Sequence, residues 1–233
     1  MVKLYMVISA LVLSGGLKSQ EIYFGLESGI GSYSMKGLKD FNSIIFKSLP
    51  FEARQVSNYP AYFYYQPLVA VHYNWLTLGV KGGYISSGSR ISSHDYSGDY
   101  LFDTRIQSFV PAVFTDIKLF TILGKISFLA DLEGGILYSK LGVSEKFTMN
   151  SQLVTDYSNS FSSKNYYLEP DVKISYNLKE SLLIQFNAGY AFQFGKKVFV
   201  SSGNEILGTY YKTYGPDWTG IRVGISLIYV LHI

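Results

Sequence analysis

The chain has 233 residues, 48% of them hydrophobic and 17% aromatic, with 21 Tyr, 16 Phe and 22 Gly, which is material for one barrel-sized or sandwich-sized domain. The absence of cysteine excludes a disulfide framework, a thiolate metal site and a lipid-modified N-terminal Cys. The formal charge of +3 falls to +1 without Lys3 and Lys18, so the body of the chain gives no basis for nucleic-acid binding.

Residues 1–19 read as an export signal. Lys3 precedes the apolar run Leu4 to Leu13, and Ser14, Gly15, Gly16 and Leu17-Lys18-Ser19 then lead to expected cleavage before Gln20. The run is half the length of about 20 residues that a spanning helix needs. Downstream no segment reaches that length, so residence in a membrane requires a closed sheet.

From Glu21 the chain alternates with period two. Ile22, Phe24, Leu26 and Ile30 oppose Glu21, Gly25, Glu27, Gly29 and Gly31, which predicts a strand. Met35 to Pro60, with Lys36, Lys39, Asp40, Lys47, Glu52 and Arg54, reads as a long loop. Phe63, Tyr65, Pro67, Val69, Val71 and Tyr73 then oppose Tyr64, Gln66, Leu68, Ala70 and His72, and a break at Asn74 leads straight into Leu76, Leu78, Val80 and Tyr84 against Thr77, Gly79, Lys81 and Gly83. Strands that close form a hairpin.

The cycle recurs, with a polar loop at Ser86–Thr104, a strand over 105–118, a short turn, and a strand from Ile126 to Tyr138 with Asp131 and Glu133 on its polar face. A third loop covers Ser139–Asn165. A strand over 166–177 follows, with Glu169, Asp171 and Lys173 on its polar face, then a tight turn and a strand from Leu182 to Phe194. Gly195–Asp217 is the fourth loop, and the strand from Trp218 carries Arg222 and Ser226 opposite Ile221, Val223, Ile225 and Leu227. Eight strands with long and tight connections strictly interleaved predict an all-β fold, an eight-stranded antiparallel up-and-down transmembrane β-barrel spanning residues 20–233.

Pro67, Pro111 and Pro170 each lie seven residues before a turn-side strand end, at Asn74, Lys118 and Asn177. Proline donates nothing to a ladder, so each should mark a bulge or a locally opened pair. The repeat also sets the register of the 105–118 strand, with Phe109, Pro111, Val113 and Ile117 outward and Asp116 and Lys118 inward.

A soluble barrel would bury the apolar parity instead. That parity is too bulky for the interior of an eight-stranded barrel. The other mixes small residues with ionisable ones, Glu27, Lys81, Asp131, Glu133, Glu169, Asp171, Lys173 and Arg222, and is expected to meet inside as a lumen polar network. Aromatics gather at both strand ends: Tyr73, Trp75, Phe120 and Tyr176 by the turns, and Tyr62 to Tyr65, Tyr100, Phe102, Tyr166, Tyr167, Phe192, Phe194 and Trp218 by the loops. Such girdles suit membrane interfaces.

Gln20-Glu21-Ile22-Tyr23-Phe24-Gly25, Leu78-Gly79-Val80-Lys81-Gly82-Gly83-Tyr84 and Asp131-Leu132-Glu133-Gly134-Gly135 resemble the small outer-membrane β-barrels of the OmpA and OmpX type, in the version common in Bacteroidetes. The resemblance implies an outer-membrane location with periplasmic termini. It transfers no functional residue, because the family has no shared active site. Many such barrels end on an aromatic residue, whereas this chain ends Val230-Leu231-His232-Ile233, with Tyr229 as the nearest equivalent.

Three functional readings compete. A structural or surface-binding, adhesion-type protein would use the Tyr- and Ser-rich loops on a rigid frame; its partners would be outer-membrane lipid and lipopolysaccharide, whose phosphates suit the basic first loop, and an extracellular ligand or periplasmic protein. A lipid A-modifying hydrolase or acyltransferase would draw on Ser92, Ser93, His94, Asp95 and Asp99, although neighbours in sequence seldom converge into a triad. An accessory component of a secretion or transport system leaves no mark in the sequence. No pair among His72, His94 and His232 has metal-ligand spacing, and no cofactor is expected.

Overall fold

The computed structural model describes residues 20–96, 98–150, 152–195, 199–201, 207–209 and 212–232; the segment read as an export signal lies outside them. The elements are β1 (Gln20–Tyr33), α1 (Lys36–Ser48), β2 (Arg54–Asn58), β3 (Tyr62–Tyr73), β4 (Leu76–Asp95), β5 (Gly98–Ile122), β6 (Ile126–Met149), β7 (Gln152–Lys179), β8 (Leu182–Phe194), β9 (Val200–Ser201), β10 (Gly208–Thr209), β11 (Lys212–Thr213) and β12 (Gly220–His232). Among the described residues, eight strands close into an antiparallel ring, β1-β3-β4-β5-β6-β7-β8-β12 and back to β1. Turns at Asn74-Trp75, Leu123-Gly124-Lys125 and Glu180-Ser181 join strands at one end. Asn74, Leu123 and Gly124 have positive φ, and that freedom suits glycine at 124.

Following ladder partners from Glu21 leads through His72, Thr77, Asp116, Asp131, Asp171, Gly189 and Arg222 back to β1 at Gly31, ten residues beyond the start. The ring therefore climbs toward the loop end by a little over one residue per strand, and strands with such stagger tilt by roughly 35–45°.

The strands differ in length in a way that the alternation did not reveal. β1, β3, β8 and β12 have 14, 12, 13 and 13 residues, whereas β4 to β7 have 20, 25, 24 and 28. A membrane-spanning strand needs about 9–11. Four neighbouring strands thus continue beyond the barrel as an upright sheet, extended by β2 on β4 and by β9 on β7. Ser86–Thr104 and Ser139–Asn165, read from sequence as loops, are the upper halves of two long hairpins.

The reason is an inversion of hydrophobic phase. In the lower part of β6, Leu132 and Tyr138 point outward and are exposed; farther up, Lys140 and Lys146 take that face while Leu141 and Val143 turn inward and are buried, continuing the inward line that begins at Leu137. β5 behaves likewise, with Phe109, Val113 and Ile117 outward below and Tyr100, Phe102 and Ile106 buried above. The backbone keeps one register while the surroundings outside it change from apolar to aqueous. Averaged along the chain, the two phases cancel, and the segment looks like a polar loop.

The inner face of the upright sheet carries a core of soluble type. α1 lies against it through buried Leu38 and Asn42, with Phe41 and Ile45 partly buried beside them, a helical spacing within the stretch read as the first loop. Pro50 follows the helix, as expected after a helix C-terminus. Met35, Ile91, Ile106, Leu141 and Phe199 are fully buried in this core. Five aromatics expected in the girdle also point inward, namely Tyr64, Tyr100, Phe102, Tyr167 and Trp218, because each occupies the interior parity. The outward girdle consists of Tyr62, Phe63, Tyr65, Tyr84, Phe109, Tyr138, Tyr166, Phe192 and Phe194 at the loop side, and Tyr73, Trp75, Phe120 and Tyr176 at the turn side.

All three prolines open a ladder without shifting it. β3–β4 pairing runs to Tyr65↔Tyr84 and resumes at Leu68↔Lys81, β5–β6 pairing resumes after Phe109↔Tyr138 at Ala112↔Gly135, and β7–β8 pairing resumes after Leu168↔Phe192 at Asp171↔Gly189. Pro67, Pro111 and Pro170 occupy the gaps, as the missing N–H demands.

The outer wall is apolar at mid-height, with Val69, Val80, Val113, Leu132, Val172, Phe186 and Val223 exposed. Val113→Arg should therefore cost roughly 2–4 kcal/mol in urea unfolding from lipid vesicles, while Val113→Leu stays near wild type; equal stability of the two variants would contradict a lipid-facing Val113.

Candidate functional site

The alternation places Glu27 on β1, Lys81 on β4, Asp131 and Glu133 on β6, Glu169, Asp171 and Lys173 on β7 and Arg222 on β12 within one closed interior, and all eight are buried. Asp116 of β5 joins them, 3% exposed. Lys81 Nζ lies 2.8 Å from both Glu27 Oε2 and Glu133 Oε2. Arg222 pairs with Glu169 and lies 3.5 Å from Glu133, which makes a continuous chain Glu27–Lys81–Glu133–Arg222–Glu169. A second group has Lys173 Nζ 2.7 Å from Asp116 and 2.8 Å from Asp131.

Six carboxylates thus face three cations, and neutral donors take up part of the excess. Tyr64 donates to Glu27 (2.9 Å), Tyr167 donates to Glu133, and Asn187 Nδ2 donates to Glu27 (3.0 Å) and Asp171 (3.3 Å). The ring of Phe114 lies 4.9 Å from both lysine nitrogens, and Arg222 sits over Tyr64 and Tyr167 at 5.7 and 5.2 Å. Tyr64, Phe114, Tyr167 and Asn187 are absent from the sequence-derived network. Their interior parity was legible, but an aromatic on that parity says nothing about which charge it faces.

Bulk is accommodated by glycine. A Cβ at Gly79 would lie 2.4 Å from the Phe114 ring, and one at Gly224 would lie 2.4 Å from Tyr64 Oη.

Above the charges Trp218 closes the interior. Its Nε1 donates to Ser139 Oγ (3.0 Å), its backbone N–H to Gln193 Oε1 (2.7 Å), and Tyr33 meets it edge-on at 4.9 Å. Below, the interior opens at the turn end into a cavity of about 190 Å³ lined by Glu21, Tyr23, His72, Lys118, Glu180 and Gln185 among others. His72 is bonded to Thr77 there (2.8 Å), and His232 lies 3.1 Å from Glu21.

The sequence candidates for catalysis stand at the opposite extreme. His94 pairs with Asp99 across the tip of the β4–β5 hairpin, and that hydrogen bond, then the Asp99 charge, holds the imidazole above its ordinary value. Ser93 lies on the opposite face of the strand and donates to the Glu52 carbonyl (2.6 Å). Asp95 accepts from the Gly98 N–H (3.1 Å) and closes the tip. His94 is ten residues beyond Tyr84 of the girdle, roughly 33 Å of strand at 3.3 Å per residue. Among the described residues no cluster of His, Asp and Glu suits a metal ion.

No protein-family model matches the sequence, and no curated protein matches it. Solved barrels align along nearly its whole length. A major outer membrane protein from Thermus thermophilus is 16% identical over 90% of this chain and 99% of its own, with a TM-score of 0.48. Ail, the attachment invasion locus protein of Yersinia pestis, is 11% identical over 93% and 99% with a TM-score of 0.35, and the N-terminal barrel domain of Pseudomonas aeruginosa OprF is 10% identical over 93% and 99% with a TM-score of 0.35. The assignment as a transmembrane β-barrel with the OmpA/OmpX strand number rests on the closed ring and the apolar outer wall.

Lys81→Met removes the cation shared by two buried carboxylates and should cost about 3–5 kcal/mol in urea unfolding from lipid vesicles. Arg90→Gln, which breaks the exposed Arg90–Asp103 pair, should cost at most about 1 kcal/mol. A Lys81→Met loss no larger than that of Arg90→Gln would contradict the shared ion pair.

Proposed function

We propose that the protein is exported through residues 1–19, resides in the outer membrane with both termini in the periplasm, and acts as a surface-binding frame rather than a conduit. The observation that carries this reading is the combination of an interior filled by side chains with four strands that rise well past the girdle. Ion pairs occupy the lumen at mid-height, and Trp218 and the α1 core fill it above. An eight-stranded barrel has room inside for little beyond side chains.

The upright sheet ends in exposed apolar residues, Tyr96 at one hairpin tip and Met149, Leu153 and Val154 at the other. Apolar groups exposed at the end of a hydrogen-bonded sheet suit a protein partner. The lipid A-modifying alternative is disfavoured by position, because His94 and Asp99 stand far above the membrane surface. The secretion-accessory reading gains no specific support from the geometry.

Tyr96→Cys should react with a membrane-impermeant maleimide on intact cells, and the purified protein should give no nanosiemens-scale steps in planar bilayers. Cells expressing it should gain attachment to extracellular-matrix-coated plates, and Leu153→Asp with Val154→Asp should remove the gain. Labelling only after permeabilisation, large conductance steps, or attachment indifferent to the tip would each overturn the reading.

A further inference from the structure

On the outer wall, immediately above the girdle, the charge is one-sided. The outward positions in the two rows above Tyr84–Phe109–Tyr138 on β4 to β7 are Ser86, Gly88, Gln107, Arg105, Lys140, Gly142, Ser162 and Ser160, and Lys164 lies opposite Tyr138. The strip contains cations and no carboxylate. Higher on the same face the charges are balanced, since Arg90 is 2.7 Å from Asp103 and Lys146 is the ladder partner of Asp156.

The three cations are also nearly level. Arg105 pairs with Gly142, two residues above Lys140, and Lys140 pairs with Ser162, two residues above Lys164. The line Arg105–Lys140–Lys164 therefore descends two residues per strand relative to the ladder rows. Those rows climb by a little over one residue per strand in the same direction, which cancels most of the descent. Successive members are diagonal neighbours on one face, about 7–8 Å apart at the backbone.

The girdle and its neighbours position two of them. Lys164 Nζ lies 5.5 Å from the centre of the Tyr138 ring. With its amide oxygen turned toward Arg105, Gln107 accepts from Arg105 Nε (2.8 Å) and from Tyr84 Oη (3.2 Å). Aromatic side chains settle at the headgroup level of a bilayer, so Lys164 in the girdle row, Lys140 one row above it and Arg105 two rows above it stand within reach of headgroup phosphates. Arg and Lys are the residues for that charge, Arg through its bidentate fork.

We propose that Arg105, Lys140 and Lys164 form a binding site on the barrel wall for the phosphorylated headgroup of an outer-leaflet glycolipid. The site rests on the membrane-embedded, loops-outward reading and moves the lipid contact from the first loop to the wall of β5 to β7. By holding lipid at the foot of the upright sheet, it fixes the height and facing of that sheet above the membrane.

The test is native mass spectrometry of the protein in an uncharged detergent with phosphorylated lipid A as the probe. Removing one cation by Arg105→Gln, Lys140→Gln or Lys164→Gln should weaken retention roughly fivefold, and the triple variant about a hundredfold. Dephosphorylated lipid A should bind wild type as weakly as phosphorylated lipid A binds the triple variant, while Arg90→Gln should stay within about twofold of wild type. The single variants, at exposed positions, keep the test valid if the triple variant fails to fold. Unchanged retention by the variants, or equal retention of the dephosphorylated lipid, would overturn the site. Displacement by millimolar inorganic phosphate would reassign it to a free anion. Tyr96→Cys labelling on intact cells separates the two failures: outside labelling with unchanged lipid retention defeats the site alone, and labelling from inside defeats the orientation.

Discussion

Three buried cations set the terms for the whole molecule. Lys81, Lys173 and Arg222 each bridge at least two carboxylates contributed by other strands, and together the groups tie β1, β4, β5, β6, β7 and β12 across the lumen. Charges removed from water are costly unless paired and hydrogen-bonded, so once they occupy the inside of a narrow ring they fix which parity faces inward. The apolar parity is thereby committed to the outside, and an apolar outside requires lipid. The membrane assignment follows from the interior as much as from the surface.

The same constraint ends where the lipid ends. Above the girdle the outer face meets water, the polar and apolar parities exchange places, and the strands of β4 to β7 continue with a second core on their inner side. That core is built as in a soluble protein, from Met35, Leu38, Ile91, Ile106, Leu141 and Phe199. Two environments, one register and a single continuous sheet give a barrel with side chains packed inside it and a four-stranded sheet that rises past the girdle. The proposed binding at the tip and the proposed lipid contact at the foot both rest on this division.

Much of the ring was legible in the sequence, because within the membrane one parity is apolar over the whole height. The eight charged side chains on the polar parity are buried, and so is Asp116, whose inward direction Pro111 set on a strand where charge alone was ambiguous. What escaped the sequence did so for identifiable reasons. The upper halves of the long strands carry apolar Ile106, Leu141 and Phe161 on the parity that is polar below, so their alternation is out of phase with the barrel's. α1 was hidden by Lys36, Lys39, Asp40 and Lys47 on its outer side, although Leu38, Phe41, Asn42 and Ile45 keep helical spacing. Trp218 and Tyr167 were assigned to the girdle by position along the strand, and only their parity distinguishes an inward aromatic from an outward one.

The most direct test of the inside-out account is a set of nuclear Overhauser contacts between lipid acyl chains and methyl groups of the protein in nanodiscs. Val69, Val113, Leu132, Val172 and Val223 should show acyl-chain contacts, whereas Leu137, Ile106 and Ile91 should show none. Acyl-chain contacts at Ile106 or Leu137, or their absence at Val113 and Leu132, would contradict it.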